Sequence, residues 1–401
     1  MEALLCLKHH LTVSDPIGLL PSWKNDSMQF CSWSGVTCSK QQSSRVVALD
    51  LESLSLHGQI PPYIGNLTFL KRIHLPNNQL HSQIPAKLDQ LNRLRYLNLS
   101  SNNFISGRIP ESLSSCFGLQ VIDLSSNSLS GSIPEGLGSL SNLSVLRISG
   151  NYLTGNIPIS LGSSSSLVSV ILNNNSLTGP IPLLLANSWS LKVLGLRNNN
   201  LSGELPPSLS KSTSLQMLVL AENNFVGSIP VLSNIDSPLQ YLILQLNDLT
   251  GTIPSTLGNF TSLLWLTFGG NSFHGSIPMS IGKIANLQVL DMTNNGLSGT
   301  VPASIYNMSA LTHLGMGMNN LTGEILANIG YNLPRIVNSI MARNKFTGQI
   351  PILLVNTTNL QIINLGDNAF HGNIPLFGTL SNLIELDFQK LRNNSTCARC
   401  D

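Results

Sequence analysis

A period of 24 residues dominates this chain of 401 residues. The segment LQVIDLSSNSLSGSIPEGLGSLSN from Leu119 recurs as LQVLDMTNNGLSGTVPASIYNMSA from Leu287, and both fit the template LxxLxLxxNxLxGxIPxxLxxLxx. Leu54 holds the anchor slot of a first repeat, which gives fourteen repeats and a partial fifteenth. The later anchors are thirteen asparagines, spaced by 24 residues except for two steps of 25: Asn78, Asn102, Asn127, Asn151, Asn175, Asn199, Asn223, Asn247, Asn271, Asn295, Asn319, Asn344 and Asn368. Such repetition predicts a solenoid in which each repeat packs only on its neighbours.

The template also predicts the shape of one repeat. Its LxL core alternates with a period of two, which is typical of a short strand, so one strand per repeat gives a parallel sheet along a concave face. The Gly and Pro of GxIP then turn the chain onto the opposite face. The anchor asparagine is expected to be buried, with its amide pairing backbone groups of adjacent coils. The expected fold class is an α/β-type repeat solenoid.

Three segments follow from where the repeat starts and stops. Residues 1–45 lack it and predict an N-terminal cap that begins with the helix EALLCLKHHL. Cys31 and Cys38 flank Trp33 in this cap, and we interpret them as a short disulfide that implies an oxidising compartment. Residues 46–391 hold the repeats, and residues 392–401 are expected to form an irregular tail.

Composition excludes several classes of function. Only 10% of the residues are charged and the net charge is +2, so no basic run exists to bind nucleic acid. No stretch approaches the ~20 apolar residues of a membrane helix. We find no catalytic constellation and predict no cofactor and no metal site, since the CxxC of Cys397 and Cys400 stands alone in the tail. Cys116 is expected to be a free core thiol.

The GxIP repeat and the cap together resemble the plant-specific leucine-rich-repeat family over roughly residues 2–390. The segments EALLCLK, FCSWSGVTC, RVVALDLESLSLHGQIPPYIGNLTFL and IPLFGTLSNL look most like ectodomains of plant leucine-rich-repeat receptor-like Ser/Thr kinases, within a large cereal subfamily of immune receptors. The resemblance implies a right-handed superhelix and a peptide or protein ligand in defence or developmental signalling. It also implies a co-receptor kinase ectodomain as a second partner, and a place on the extracellular side of the plasma membrane.

Both ends depart from the family pattern. No signal peptide precedes the cap helix, and no membrane helix, Gly-rich phosphate loop, HRD or DFG follows the repeats. We therefore expect a non-enzyme, a truncated ectodomain that reaches a membrane only through segments absent from this sequence. Two alternatives remain open. One is a secreted inhibitor of microbial cell-wall hydrolases of the polygalacturonase-inhibitor type, and the other is a decoy or pseudogene product, for which Ser339 in a core Leu slot and Leu326 in a Pro slot are mild signs of drift.

Ligand contacts are expected at the positions six, four, two and one before each anchor, because these face outward from the strand and the scaffold does not dictate them. Most carry small polar residues, but three adjacent repeats carry large apolar ones, typical of interaction sites. The predicted ligand-binding residues are Met217, Val219, Tyr241, Ile243, Leu246, Trp265 and Thr267. Gly269 and Gly270 are expected to leave room beside Trp265, and His313 and Met318 extend the trend. A weaker candidate is an acidic-ligand site at Arg72, His74, Arg147 and Arg197.

Sequons of the form N-x-S/T are glycan acceptors in a secreted chain. The predicted acceptors are Asn25, Asn66, Asn98, Asn142, Asn200, Asn259, Asn307, Asn320 and Asn356. Three further sequons lie at Asn174, Asn393 and Asn394. Asn174 is expected on the concave face, where a glycan would block binding.

Overall fold

A computed structural model describes residues 1–11, 20–24, 29–41, 45–230 and 237–389. The chain forms two compact units, Met1–Ser202 and Gly203–Asp401, called unit 1 and unit 2 below. The longest helix of the described residues, Glu2–Leu11, has 10 residues. No helix in these ranges combines the length and hydropathy needed to cross a bilayer.

The cap of unit 1 packs its helix onto the first repeat. Helix Glu2–Leu11 buries Leu4, Leu7 and Leu11, which lie on one face at helical spacing. At the carboxyl end of the helix, a Cβ on Gly58 would overlap the carbonyl oxygen of His10, so only glycine permits this contact. The predicted cap and its helix are confirmed.

A disulfide and two stacked indoles hold the rest of the cap. Cys31 and Cys38 are bonded, with their Cα atoms 5.5 Å apart, which confirms the predicted pair. Trp23 stacks on Trp33 with ring centroids 5.3 Å apart, and its indole N–H donates to the carbonyl of Ser34 at 2.9 Å. The indoles therefore supply the apolar core that the short loop closed by the disulfide could not form alone.

The main sheet of unit 1 follows chain order, one strand per repeat. Its first pair is antiparallel and the later pairs are parallel, with Val145 opposite Val121 and Ser169. In the three-residue strands from Arg72–His74 onward the middle residue is buried, as the period of two predicts, whereas Val36–Cys38 exposes Thr37. The strands are Val36–Cys38, Val46–Asp50, Arg72–His74, Tyr96–Asn98, Val121–Asp123, Val145–Arg147, Ser169–Ile171 and Val193–Gly195.

A second set of strands, absent from the sequence expectations, follows the anchor residues. Most of these strands lead into an Ile-Pro step, after which the fixed φ of proline directs the chain into a short helix. Asn320–Glu324 leads into Ile325 and Leu326 instead. In unit 1 and at its end these strands are His57–Gln59, Gln79–Gln83, Phe104–Arg108, Ser128–Gly131, Tyr152–Leu153, Thr178–Gly179 and Asn200–Glu204. The short helices are Phe30–Ser32, Pro62–Asn66, Ala86–Gln90, Glu111–Ser115, Glu135–Ser139, Ile159–Ser163 and Leu183–Ala186.

Unit 2 repeats this arrangement. Its main strands are Met217–Val219, Tyr241–Ile243, Trp265–Thr267, Val289–Asp291, His313–Gly315, Asn338–Ile340, Ile362–Asn364 and Glu385–Asp387. Its second strands are Asn224–Gly227, Asp248–Thr252, Ser272–Gly275, Gly296–Thr300, Asn320–Glu324 and Lys345–Thr347. The short helices are Pro207–Lys211, Ser255–Asn259, Met279–Lys283, Ile305–Asn307, Ile329–Asn332, Ile352–Asn356 and Phe377–Thr379. The predicted leucine-rich-repeat solenoid with a parallel sheet is thus confirmed.

The anchor asparagines form the expected ladder. The side-chain amide of Asn247 donates to the carbonyls of Leu220, Leu244 and Gln245 at 3.1, 3.0 and 3.4 Å, and its Oδ1 accepts the N–H of Phe225 at 3.1 Å. One side chain thus pairs backbone groups of its own repeat and of the repeat before it. Such pairing is required because buried backbone groups left unpaired destabilise a fold.

One anchor departs from this pattern. Asn127 ends the first of the two 25-residue steps, and its Oδ1 has no hydrogen-bond partner among the described residues. Its amide still donates to the carbonyls of Leu99, Leu124 and Ser125. The extra residue therefore coincides with the loss of one of the four bonds that Asn247 makes.

Candidate functional site

The outward positions of the main sheet in unit 2 form two parallel rows. Met217, Tyr241 and Trp265 are register partners along the first row. Val219, Ile243 and Thr267 are partners along the second row. The structure therefore brings the sequence-predicted residues side by side on three adjacent strands. The apolar patch, as the term is used here, comprises Met217, Val219, Tyr241, Ile243, Leu246 and Trp265.

Two aromatic rings lie at the centre of the apolar patch. Tyr241 and Trp265 meet edge to face, with ring centroids 5.8 Å apart. Trp265 is 41% exposed and Tyr241 is half-buried. Rings held in this way present a rigid apolar surface with polar groups at their edges, which suits a binding anchor.

Thr267 differs from the other predicted contacts. It lies on the outward side of its strand, but only 6% of the residue is exposed. Its Oγ1 has no hydrogen-bond partner among the described residues. Thr267 therefore adds no surface to the apolar patch, and it leaves an orphaned hydroxyl beneath that surface.

Leu246 is the most exposed member of the apolar patch, at 53%. It has a φ of +57° and lies directly before the anchor Asn247. The two glycines expected to leave room beside Trp265 instead leave room for Leu246 and Asp291. A Cβ on Gly270 would lie 2.7 Å from Leu246 Cδ2, and a Cβ on Gly269 would lie 3.1 Å from Asp291 Oδ2.

The left-handed conformation of Leu246 belongs to a regular series. The residue before the anchor slot has a positive φ in every repeat of both units. Unit 1 fills this position only with small residues, among which Gly and Asn adopt it most readily: Ser53, Asn77, Ser101, Ser126, Gly150, Asn174 and Asn198. Unit 2 fills it with Glu222, Leu246, Gly270, Asn294, Met318, Arg343 and Asp367.

Bulky side chains in this conformation are unfavourable by about 1–2 kcal/mol each. Packing does not require them, because unit 1 builds the same fold with Ser, Asn and Gly. Retained backbone strain is typical of functional sites. The preference for Ser, Asn and Gly before the anchor was a signal available in the sequence, and it marks unit 2 as the more specialised face.

Of the two residues predicted to extend the apolar patch, only Met318 is exposed. Met318 is 42% exposed and carries the same positive φ, 55°. His313 is half-buried, and its Nδ1 lies 2.8 Å from the hydroxyl of Thr312. Met318 therefore adds apolar surface, whereas His313 is held by its own strand.

The basic residues of unit 1 are largely engaged by acidic neighbours. Arg72 Nε lies 2.7 Å from Asp50 Oδ1, and its guanidinium stacks 3.9 Å above the ring of Tyr96. His74 Nε2 lies 3.0 Å from a carboxylate oxygen of Glu52.

The other two candidates lie in different repeats. Arg147 Nη1 is 4.0 Å from Asp123 Oδ2, and the backbone N–H of Arg197 donates to Asn173 Oδ1 at 2.8 Å. The structure thus gathers these four residues into no single anion site, and carboxylates already face three of them.

The predicted glycan acceptors are mostly accessible. Asn259 is half-buried, and Asn25, Asn393 and Asn394 lie outside the described residues. Asn98 is buried, and its side-chain amide lies 3.4 Å from the Tyr96 hydroxyl. A glycan on Asn98 would require this side chain to leave its buried position. The exposed acceptors are Asn66, Asn142, Asn174, Asn200, Asn307, Asn320 and Asn356.

Cys116 is a buried thiol, as the sequence predicts. Its thiol donates to the carbonyl of Leu88 at 3.2 Å. Burial, reinforced by the charge of Asp89, raises the pKa of this thiol to about 11. Cys397 and Cys400 lie outside the described residues, and within them no group of three His, Cys, Asp or Glu could hold a metal ion.

Family models match the two kinds of segment seen in the fold. The leucine-rich repeat N-terminal domain matches residues 1–39. A two-copy leucine-rich-repeat model matches residues 189–234. A single-repeat model matches residues 93–116, 118–140, 142–164, 238–260 and 286–308. The fold and these matches define the chain as a leucine-rich-repeat protein.

Similar proteins of known identity narrow the class further, to plant receptors. The LRR receptor-like serine/threonine-protein kinase EFR of Arabidopsis thaliana is 42% identical over 78 residues, which are 20% of this chain and 7% of that protein. The crystal structure of PEPR1–AtPEP1 is similar with a TM-score of 0.86 and 33% identity, over 96% of this chain and 58% of that one. The structure of the plant peptide hormone receptor RGFR1 in complex with RGF2 is similar with a TM-score of 0.75 and 26% identity, over 90% of this chain and 72% of that one. The chain is a leucine-rich-repeat solenoid related to the ectodomains of plant leucine-rich-repeat receptor-like kinases.

Proposed function

We propose that the chain recognises a peptide or protein ligand through the apolar patch of unit 2, as the extracellular recognition module of a receptor-like kinase. The observation that carries the proposal is that the paired rings of Tyr241 and Trp265 and the strained, exposed Leu246 occur together in two adjacent repeats. The similarity to the plant peptide hormone receptor RGFR1 in complex with RGF2 supports the same class of ligand.

The proposal includes a cellular setting. The chain would act on the extracellular side of the plasma membrane, in defence or developmental signalling, with its disulfide formed in an oxidising compartment. A co-receptor ectodomain as second partner and membership of the cereal immune-receptor subfamily remain predictions from the sequence.

Peptide display tests the proposal directly. Random short peptides are selected on the immobilised whole chain, and the enriched peptides are measured against the double variant Trp265→Ala with Tyr241→Ala. We expect binding to be lost while the unfolding temperature hardly changes, because both rings lie at the surface of the sheet. The matched control is Trp189→Ala with Tyr152→Ala, two exposed aromatics of unit 1 outside the main strands; this variant should bind as the wild type does.

The opposite results separate the alternatives. Equal binding by both double variants would remove the apolar patch from consideration. Inhibition of a purified microbial polygalacturonase by the chain, without any selectable peptide, would favour the hydrolase-inhibitor hypothesis instead.

A further inference from the structure

The main-sheet faces of the two units differ in charge. Unit 1 carries three carboxylates and three guanidiniums at its face positions: Asp50, Glu52 and Asp123 with Arg72, Arg147 and Arg197. Among its described residues, unit 2 carries five carboxylates and one guanidinium at these positions: Glu222, Asp291, Asp367, Glu385 and Asp387 with Arg343. The face of unit 2 is therefore acidic although the whole chain has a net charge of +2.

Asp291 is the carboxylate on the strand next to Trp265–Thr267. It is the partner of Thr267 on the next strand, and Val289 on the same strand is the partner of Trp265. Strand geometry places Asp291 and Trp265 about 8 Å apart between Cα atoms, within reach of one long side chain. Arg343, the one guanidinium of this face, lies 3.5 Å from Asp367 instead. Asp291 makes no ion pair with any described residue.

The scaffold uses only one oxygen of Asp291. Its Oδ1 accepts the N–H of Thr293 at 2.9 Å. Asn98 and Asn364 accept the equivalent N–H bonds in their own repeats, so this role needs no negative charge. In unit 1 the matching Asp123 has Arg147 nearby, with 4.0 Å between the charged groups. The charge of Asp291 is thus not explained by the fold.

The carboxylate of the half-buried Asp291 lies against two glycines. A Cβ on Gly315 would lie 2.6 Å from Asp291 Oδ1, and one on Gly269 would lie 3.1 Å from Oδ2, so side chains at either position would displace the carboxylate. The neighbouring Thr267 supplies a second, independent observation. Its hydroxyl is more than nine-tenths buried without a hydrogen-bond partner among the described residues, and such groups are uncommon without a ligand or water to pair them.

We propose that the ligand of unit 2 is a basic peptide, and that Asp291 binds a Lys or Arg side chain of that peptide beside Trp265. The inference rests on the proposed function and adds the charge of the ligand. A guanidinium or ammonium suits both features, because it pairs with a carboxylate and is attracted to an aromatic face. The acidic face of unit 2 would also attract such a peptide during approach.

The test uses the peptide selection described above, repeated on Asp291→Asn and on Asp123→Asn. Asparagine keeps the acceptor for the Thr293 N–H, so Asp291→Asn should unfold at the wild-type temperature. We expect Lys and Arg to be enriched in peptides selected by the wild type, and this enrichment to fall on Asp291→Asn but not on Asp123→Asn. A synthetic copy of the most enriched peptide should bind Asp291→Asn about tenfold more weakly at low salt, and this difference should shrink at high salt.

The outcomes distinguish the two proposals. Peptides that require Trp265 and Tyr241 but show no basic enrichment, or bind Asp291→Asn as tightly as the wild type, overturn this inference and leave the proposed function intact. A selection that yields no peptide dependent on Trp265 and Tyr241 overturns both.

Discussion

The side chain of Leu246 extends over Gly270 of the following repeat, at a place where any Cβ would come within 2.7 Å of Leu246 Cδ2. Both residues have positive φ, +57° and +65°. An exposed leucine in a strained conformation that also demands glycine from its neighbour adds little to the core. Its presence is understandable if the apolar surface that it exposes is used for binding.

Replacement of Leu246 by Asn should therefore separate stability from binding. Asn tolerates the left-handed conformation, so we expect Leu246→Asn to be neutral or to raise the free energy of unfolding by about 1 kcal/mol, and to weaken peptide binding. The reverse change at the same slot, Asn294→Leu, should destabilise by a similar amount. Urea unfolding of both variants checks this, and a clear loss of stability in Leu246→Asn would show that the leucine is a scaffold residue.

The asparagine ladder predicts unequal costs for equal substitutions. Asn247→Ala leaves the N–H of Phe225 without its acceptor, and also frees three carbonyls. Asn127→Ala frees carbonyls alone, because Asn127 Oδ1 has no partner among the described residues. We expect Asn247→Ala to cost about 1 kcal/mol more. Hydrogen exchange should quicken around Phe225 in the first variant, and unchanged exchange there would contradict the assigned bond.

The disulfide should stabilise the cap locally. Loop entropy for a separation of 7 residues between Cys31 and Cys38 gives about 2–3 kcal/mol. The variant Cys31→Ser with Cys38→Ser should thus open the cap to protease, with the stack of Trp23 on Trp33 lost and repeats of unit 2 unaffected. Mass spectrometry of early proteolytic cuts measures this, and first cuts within unit 2 would argue against a local role.

The buried thiol of Cys116 should be chemically silent near neutral pH. Its pKa of about 11 lies above the ordinary value of 9.0 because burial disfavours the thiolate. Roughly one thiol in a thousand is then ionised at pH 8, so a thiol-disulfide reagent should titrate the same number of groups in the folded wild type and in Cys116→Ala. Reactivity of Cys116 should appear only as the pH approaches 11 or when the chain unfolds. Rapid labelling at neutral pH would contradict its burial.

The main strands could be predicted from sequence because their signal is strict. Every Leu of LxL, such as Leu242 and Leu266, must enter the core, and the period of 24 residues fixes the register. The second strands were missed because they lack such alternation: Asp248–Thr252 reads DLTGT, whose pairing comes from its neighbour Ser272–Gly275 and not from its own pattern.

The candidate site was predictable only in part. Outward positions follow from the period of two, which placed Tyr241 and Trp265 correctly on adjacent strands. Burial at these positions depends on neighbouring side chains, so the pattern could not show that Thr267 is covered. Ion pairs could not be predicted either, because Arg72 and Asp50 lie 22 residues apart in the chain and come together only when adjacent repeats stack.

The left-handed position before each anchor has a consequence for how such a chain changes over generations. Unit 1 has only serine, asparagine or glycine at this position. Leu246 and Met318 add backbone strain in unit 2, and selection for binding would retain them despite that strain. In a lineage that no longer binds the ligand, we expect Ser, Asn or Gly to replace these two residues, with a gain in the stability of the fold.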